Sequence, residues 1–445
     1  MRHLLVRLTT LSIVFCARLI WAAPVLMISV DGLRPLDIIE AAARGIRVPN
    51  LRKMISEGVY ATGVTNLLPT NTYPNHTSLI TGVAPALHGI SNNIEFDPLE
   101  ENDAGALWYA SDIKIPTLWD IVHARGKIVA SVSWPVSVGA RQVDLLIPEI
   151  WRTNNSFDLR LVEALSSPGL IGELEKATGV KLAALIEKGS KSDEVRCEFT
   201  GALIELKKPY FITLHLPSLD RAEHEHGPGS QVAIATLEKV DEAIGALVKK
   251  ARKIMPDLVV AVVSDHGFVP VTQVVNLMIP FIKHGLITLD SKTGTVSKWE
   301  AQPWSSGGSA AIVLARPNDE KLKEKVSRLL RDLALDPAMH ISEVIDAKKI
   351  AEMGGPKEAS FFVDFKLGTW AGKNKAGPVV GPSPAKGTHG YFPTHKEMNA
   401  SFFITGPAIR KRGSIGEIDM RSIAPTLAKL MGLPFPDYGQ PLIQL

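Results

Sequence analysis

The sequence predicts an α/β fold: a mostly parallel sheet with helices on both faces and an inserted cap subdomain. Three observations predict it. Two runs of branched apolar residues, VLMISVDG with Asp31 and VVAVVSDHG with Asp265 and His266, stop abruptly at an acid and a glycine. Strands buried on both faces look like this when they deliver a functional group at their carboxyl ends. Strand-like and helical runs then alternate from Val25 to Ser264, which builds parallel sheets. Finally, Val271 to Gly377 carries strands and a helix of its own and reads as a cap set between parts of the core.

The elements follow in order. Residues 1–22 read as a signal peptide: a basic start (Met1 to Arg7), an apolar stretch (Leu8 to Ala17), then small residues at Ala22 and Ala23. Pro24 would sit badly beside a later cut, so cleavage is expected after Ala22. The apolar run is far shorter than the roughly 20 residues that span a bilayer. No later stretch is long enough either, so no stable membrane insertion is expected. Residues 23–445 are expected to form one domain. Val25–Val30, Ile128–Ser133, Tyr210–Leu216 and Leu258–Ser264 read as strands. Asn50 to Gly58 reads as a short helix with Asn50 as cap and Gly58 as stop. Val232 to Ile254 has apolar residues at helical spacing and a basic end that suits the helix dipole. Gly139 to Lys207 (about 139–207) is helical in texture and reads as an insertion. The cap, about 271–377, includes strands Ala310–Leu314 and Ser360–Phe365 and a helix Asp319–Leu333. Ala376–Gly387 reads as an exit loop, Ser401–Thr405 as a returning strand and Asp419–Leu430 as a closing helix.

Composition narrows the function. Of 445 residues, 45% are hydrophobic and 21% charged, enough for a substantial core. The whole formal charge of +3 is matched by Arg2, Arg7 and Arg18 in the leader. A neutral mature chain gives no reason to expect a nucleic-acid polymer as partner. Bulky Phe15 argues against lipidation at Cys16. After processing only Cys197 remains, so no internal disulfide can form and the fold must rest on its core.

Four motifs carry candidate chemistry. In PTNTYPNHTSLITG (69–82), Pro74 suits a first helical turn and Gly82 a helix end. Thr72 is then expected just outside the N-terminus, where dipole and free N–H groups favour an anion. It is either a metal-activated nucleophile or simply a helix cap. Asp220 and His224 share a helix face and can chelate one ion or form a surface ion pair, while His226 should point away. Asp265 and His266 can serve one site only if their strand has ended and Gly267 turns the chain. His389 lies among glycines that would let the backbone approach an ion.

Together these stretches resemble the nucleotide pyrophosphatase/phosphodiesterase family of the alkaline phosphatase superfamily. The resemblance runs from Val25 nearly to the C-terminus, through SVDGLR (29–34), NTYPNHTSLITG (71–82), HGISNN (88–93), DRAEHEHGP (220–228), SDHG (264–267), GTHGY (387–391) and MNASFFITGP (398–407). It implies an alkaline-phosphatase-like sheet and two zinc ions, one held by Asp31, Thr72, Asp265 and His266, the other by Asp220, His224 and His389. It further implies that Thr72 attacks phosphorus and that the resulting phosphothreonine is hydrolysed, with Asn93 donating its amide to a phosphoryl oxygen. Asn92 is adjacent, and the choice rests on the GIxxN spacing. Two positions depart from the pattern. His215 stands where nucleotide-cleaving members carry a base-stacking tyrosine, and Glu223 replaces a glycine. Tyr73 and His215 are therefore the expected substrate contacts. The implied protein is an exported, periplasmic zinc phosphodiesterase or nucleotide pyrophosphatase with a small phosphodiester or nucleotide substrate. A phosphomonoesterase or phosphonate hydrolase is the nearest rival, although the sequence identifies no arginine to clamp a phosphate dianion. A non-catalytic exported metal-binding protein is the remoter one.

Overall fold

A computed structural model describes residues 22–442 except 103–104, 151–155, 187–188 and 437, so the expected leader lies almost wholly outside the described residues. The central sheet has eight strands in the order Gly413–Ser414, Val59–Tyr60, Phe402–Thr405, Val259–Val263, Val25–Val30, Phe211–Leu216, Val129–Val132, Leu145–Ile147. Its pairings are parallel except for those of Phe402–Thr405, which runs antiparallel to both neighbours. Val25–Val30 is buried along its whole length. Its side chains alternate between two cores, as strand period demands.

Leu26, Ile28 and Val30 pack with Leu51 and Met54, Phe199 and Leu203, and Val240 and Ile244, from helices Pro49–Glu57, Lys191–Lys207 and Gln231–Ile254. Val25 and Met27 face the other way, towards Leu79 and Ile80 of helix Thr72–Thr81 and Leu427 of Ile423–Leu430. Truncating one such residue, Ile28 for example, should cost about 2–5 kcal/mol. Register brings the functional ends level, with Ser29 opposite both His215 and Val263. Asp31 and Asp265 then follow at the same edge.

Several elements differ from the sequence reading. Segment 139–207, helical in texture, also supplies a strand: Leu145–Ile147 forms the sheet edge, and helix Lys191–Lys207 covers a face beside Gln231–Ile254. Asn50 is not a cap. Pro49 opens that helix, and the buried Asp241 carboxylate accepts from the backbone N–H groups of Asn50 (3.1 Å) and Leu51 (2.7 Å). A remote acid thus satisfies orphan donors that a cap would serve. Within the exit stretch, Val380–Pro382 pairs with Gln273–Asn276. The closing helix is a 3-10 turn, Met420–Ser422, followed by Ile423–Leu430.

The region expected as a cap contains a four-stranded antiparallel sheet, ordered Ala301–Ser305, Ser309–Leu314, Ala359–Phe365, Ile341–Asp346. Helix Glu320–Leu335 packs on it through Leu322, Val326 and Leu330, capped by the Asp319 side chain on Leu322 N–H (3.1 Å). The turn between its first two strands returns to the main body, where Gly308 N–H donates to the His389 carbonyl (2.7 Å). Among the described residues no helix is long and apolar enough to cross a membrane.

Candidate active site

Thr72 is the first residue of helix Thr72–Thr81, not the residue before it, and all ten residues of that helix are buried. Its carbonyl meets Nδ1 of His76 (2.8 Å), whose Nε2 meets Ser29 Oγ (2.8 Å). His76, to which sequence reading gave no role, therefore ties the start of this helix to the central strand. Burial lowers its pKa to about 3, so it acts as a neutral strut. Thr72 Oγ1 lies 3.4 Å from Nε2 of His266.

The Val259–Val263 strand has ended before Asp265 and His266, so both turn to the same side, and their carboxylate and imidazole stand 3.1 Å apart. Asp31 Oδ1 is 3.3 Å from the same imidazole nitrogen. Gly32 N–H donates to Asp265 Oδ1 (3.2 Å) with φ at 74°, and a Cβ there would press on the buried Glu223 carboxylate. On helix Ser218–His226, Asp220 Oδ1 is 3.4 Å from His224 Nε2 and 3.8 Å from His389 Nε2. His226 turns out towards Glu225. The His266 and His389 rings stack with centroids 3.6 Å apart, which joins the two groups into one centre.

Among the described residues, two sets of donor atoms lie within 4.8 Å of one another: Asp220, His224 and His389, and Asp31, Asp220 and His266. Asp220 stands in both, between the two sets to which the resemblance assigned ions. The hydrogen bonds around them fit a metal. Nδ1 of His224, His266 and His389 each faces a backbone carbonyl, of Gly387 (3.0 Å), Gly267 (3.2 Å) and Thr70 (3.0 Å). A nitrogen facing a carbonyl carries the proton, so each ring turns its Nε2 lone pair towards the carboxylates, as metal-binding histidines do. Asp31 Oδ1, Asp220 Oδ1 and Asp265 Oδ2 are buried with no hydrogen-bond partner among the described residues. Lone pairs facing buried carboxylates need a cation or a proton between them.

The pKa shifts express the same need. Burial and the charges of Asp265 and Asp220 hold the Asp31 carboxyl well above its ordinary value. Burial works against charge on His266, but Asp265 outweighs it and pushes the imidazole up to about 9. The oxygen- and nitrogen-rich donor set is of the kind zinc takes in catalytic sites.

His215, expected as a substrate contact, is shut away from the cleft. It is 0% exposed, its Nε2 lies 3.0 Å from Asp31 Oδ2, and its Nδ1 lies 2.6 Å from Glu149 Oε2 and 3.1 Å from the Ser133 carbonyl. Strand register sets its ring behind Asp31, away from the cavity. It orients a candidate ligand, and Glu149 is a partner that only tertiary structure reveals.

The two asparagines separate cleanly. Asn92 accepts from Asn71 Nδ2 and from Asn93 N–H (each 2.8 Å) and donates to Ser305 O and Ser306 Oγ (each 3.1 Å). Asn93 Oδ1 accepts the Tyr73 N–H (2.8 Å). That donor identifies the oxygen and leaves the amide nitrogen available. A cleft of about 230 Å³ is lined by Asp31, Thr72, Tyr73, Asn93, Asp220, His224 and His389, and by two arginines that the sequence alone does not single out, Arg196 and Arg221. Asn92 and His215 are not among its lining residues.

Fold and site define an α/β protein with a candidate metal centre at the carboxyl edge of parallel strands. Residues 25–392 match the model of the type I phosphodiesterase / nucleotide pyrophosphatase family, and the chain belongs to that family. It is 26% identical to mouse (Mus musculus) ectonucleotide pyrophosphatase/phosphodiesterase family member 1 over 257 residues, 55% of this chain and 24% of that protein. The match thus spans about a quarter of that relative. It is 24% identical to the bis(5'-adenosyl)-triphosphatase of Pongo abelii over 422 residues, 93% of this chain and 79% of that one. The fold is similar to human ectonucleotide pyrophosphatase/phosphodiesterase 5, with a TM-score of 0.65 at 20% identity, covering 94% of this chain and 97% of that one. The murine counterpart, an inactive variant in complex with AMP, superimposes equally well (TM-score 0.65, 19% identity, 94% and 97% coverage).

Proposed function

We propose that the chain is an exported two-zinc phosphodiesterase or nucleotide pyrophosphatase working through a phosphothreonine on Thr72. One observation carries the reading: a buried helix-terminal hydroxyl stands 3.4 Å from an imidazole of the candidate metal centre, on the wall of the cleft. Zinc held by Asp31, Thr72, Asp265 and His266, and by Asp220, His224 and His389, would lower the hydroxyl's pKa and neutralise charge on phosphoryl oxygens.

The chain's own residues do the rest. Thr72 Oγ1 loses its proton to solvent and forms the bond to phosphorus as the P–O bond to the leaving group breaks, and the leaving oxygen departs with the electron pair and takes up a proton from water. His76 fixes the backbone of the nucleophile, and His215 holds Asp31. The positive end of helix Thr72–Thr81 faces the phosphoryl group. Asn93, pinned through its oxygen, offers its N–H to a non-bridging oxygen as charge develops there. Water then cleaves the phosphothreonine, releasing a monoester and restoring the hydroxyl.

A neutral amide suits the single charge of a diester, while the Tyr73 ring is buried against Ile90 and Val136 and leaves its backbone N–H to pin Asn93. A relative named as a dinucleoside triphosphatase and a fold neighbour binding AMP support nucleotides as one substrate class. The basic-then-apolar start supports export to the periplasm, which cell fractionation and N-terminal sequencing of the mature protein would check. The reading is tested by kcat/KM of zinc-loaded protein on bis-p-nitrophenyl phosphate and p-nitrophenyl phosphate. The diester should lead. A monoester that outperforms it overturns the diesterase assignment.

A further inference from the structure

We propose that the cleft wall around Arg196 is a second-anion subsite, so that the substrate is a phosphodiester whose retained arm carries a further carboxylate or phosphate. This rests on the phosphodiesterase reading above. Arg196 lines the same cleft as Thr72 and Asn93, yet its side chain is only 13% exposed. Such a guanidinium is held rather than solvated. Nε donates to Ser133 Oγ (3.0 Å), and Nη1 stands 3.5 Å from Asp193 Oδ1, the outer limit of a hydrogen bond. The other Asp193 oxygen accepts from Ser218 N–H (3.1 Å), so that carboxylate is shared with the backbone. Nη2 is left without a partner among the described residues.

Ser133 is the hinge of the arrangement. It takes φ of 53°, a left-handed conformation that costs a non-glycine residue and persists where the surroundings hold it. Three bonds hold it. Its N–H donates to Ile147 O (2.8 Å), its carbonyl faces His215 Nδ1 (3.1 Å), and its hydroxyl meets Arg196. The bonded path Asp31–His215–Ser133–Arg196 therefore sets the guanidinium on the wall flanking the reacting centre. The leaving oxygen departs opposite Thr72, so the arm that stays on phosphorus lies along the flanking wall. There a planar fork of N–H donors matches a carboxylate or phosphate. Arg221, exposed and lining the same cleft, adds positive charge.

The test uses zinc-loaded full-length protein and p-nitrophenyl phosphodiesters whose second arm is butyl, 3-carboxypropyl or 3-phosphonopropyl. Wild-type kcat/KM should favour an anionic arm over butyl by at least about tenfold, since a charge-assisted bond to a guanidinium is a strong one. In Arg196→Gln that ratio should fall towards one, and Arg196→Lys should keep part of it. A ratio is indifferent to how much of a variant folds. The carboxylate and phosphonate arms show which anion is taken, and preference for either supports the subsite. A wild-type ratio of one or below, with the butyl ester turned over normally, refutes the subsite and leaves the phosphodiesterase reading standing. An Arg196→Gln protein slowed equally on all arms shows a brace for the helix and also refutes it. Activity on p-nitrophenyl phosphate but on no diester would sink both.

Discussion

Replacing His215 by alanine separates the role the structure gives this residue from the one its position in the motif pattern implied. The imidazole sits between two buried carboxylates, 3.0 Å from Asp31 and 2.6 Å from Glu149. Its removal leaves both without their common partner, and breaking a buried charge pair in this way costs about 3–5 kcal/mol. At about 2 °C per kcal/mol for a chain larger than the usual small domain, the metal-free protein should melt about 6–10 °C lower. Asp31 would also lose the bond that orients it, so zinc affinity should drop about 10–100-fold. The assays are thermal unfolding of the metal-free protein and zinc competition against a chromophoric chelator. His215→Ala combined with Glu149→Gln should recover about 1–2 kcal/mol, because the second change removes a stranded charge and the two sites are in contact. The reasoning fails if His215→Ala melts like wild type and keeps its zinc affinity. It fails most clearly if that variant loses only a preference for nucleotides over simple diesters.

Other outcomes follow from the same geometry. Thr72→Ala should abolish turnover while keeping the zinc, and Thr72→Ser should retain some activity. A wild-type rate in the alanine variant would place the nucleophile elsewhere. Metal analysis should find close to two zinc per chain, and exhaustive chelation should remove activity. Full activity without metal would contradict the centre. Asn93→Ala should lower kcat on an aryl diester by about 10²–10³. Asn92→Ala should instead lower the melting temperature, because Asn92 joins Asn71, Asn93, Ser305 and Ser306. His395 Nε2 bonds Asp364 Oδ2 (2.7 Å), and that bond raises its pKa in the folded state. Its contribution should be complete below the unfolded value of about 6.5 and fade as pH rises through the higher folded value. The stability gap between wild type and His395→Gln, followed by denaturant titration, should narrow on that side; a gap that widens with pH would contradict it.

The legible parts of the fold were those where one physical signal dominates. Val25–Val30 and Val259–Val263 are buried on both faces and so read as unbroken apolar runs, with their acids marking the sheet edge. Leu145–Ile147 is three residues long inside a helical stretch, too short for period or composition to register. Asn50 reads as a cap because a sequence shows only its chain neighbours, whereas Asp241 arrives from another helix. The metal-ligand candidates were visible since an acid ending a buried strand is chemically conspicuous. The place of His215 behind Asp31 was not, nor were Glu149 and Arg196. FITLHL reads as an ordinary strand, and only its register opposite Ser29 sets the histidine behind Asp31.

The turn between the first two strands of the four-stranded sheet bears on how far this chain can be rebuilt. Its Ser305 and Ser306 hold Asn92, beside the proposed oxyanion donor, while its Gly308 holds the carbonyl of His389. At Gly307, φ is 89° and a Cβ would run into that same carbonyl oxygen. The region expected as a cap is thus not a detachable module. A chimera that borrows another protein's cap would have to graft outside 305–309, leaving helix Glu320–Leu335 and the outer strand Ile341–Asp346 as the exchangeable ground.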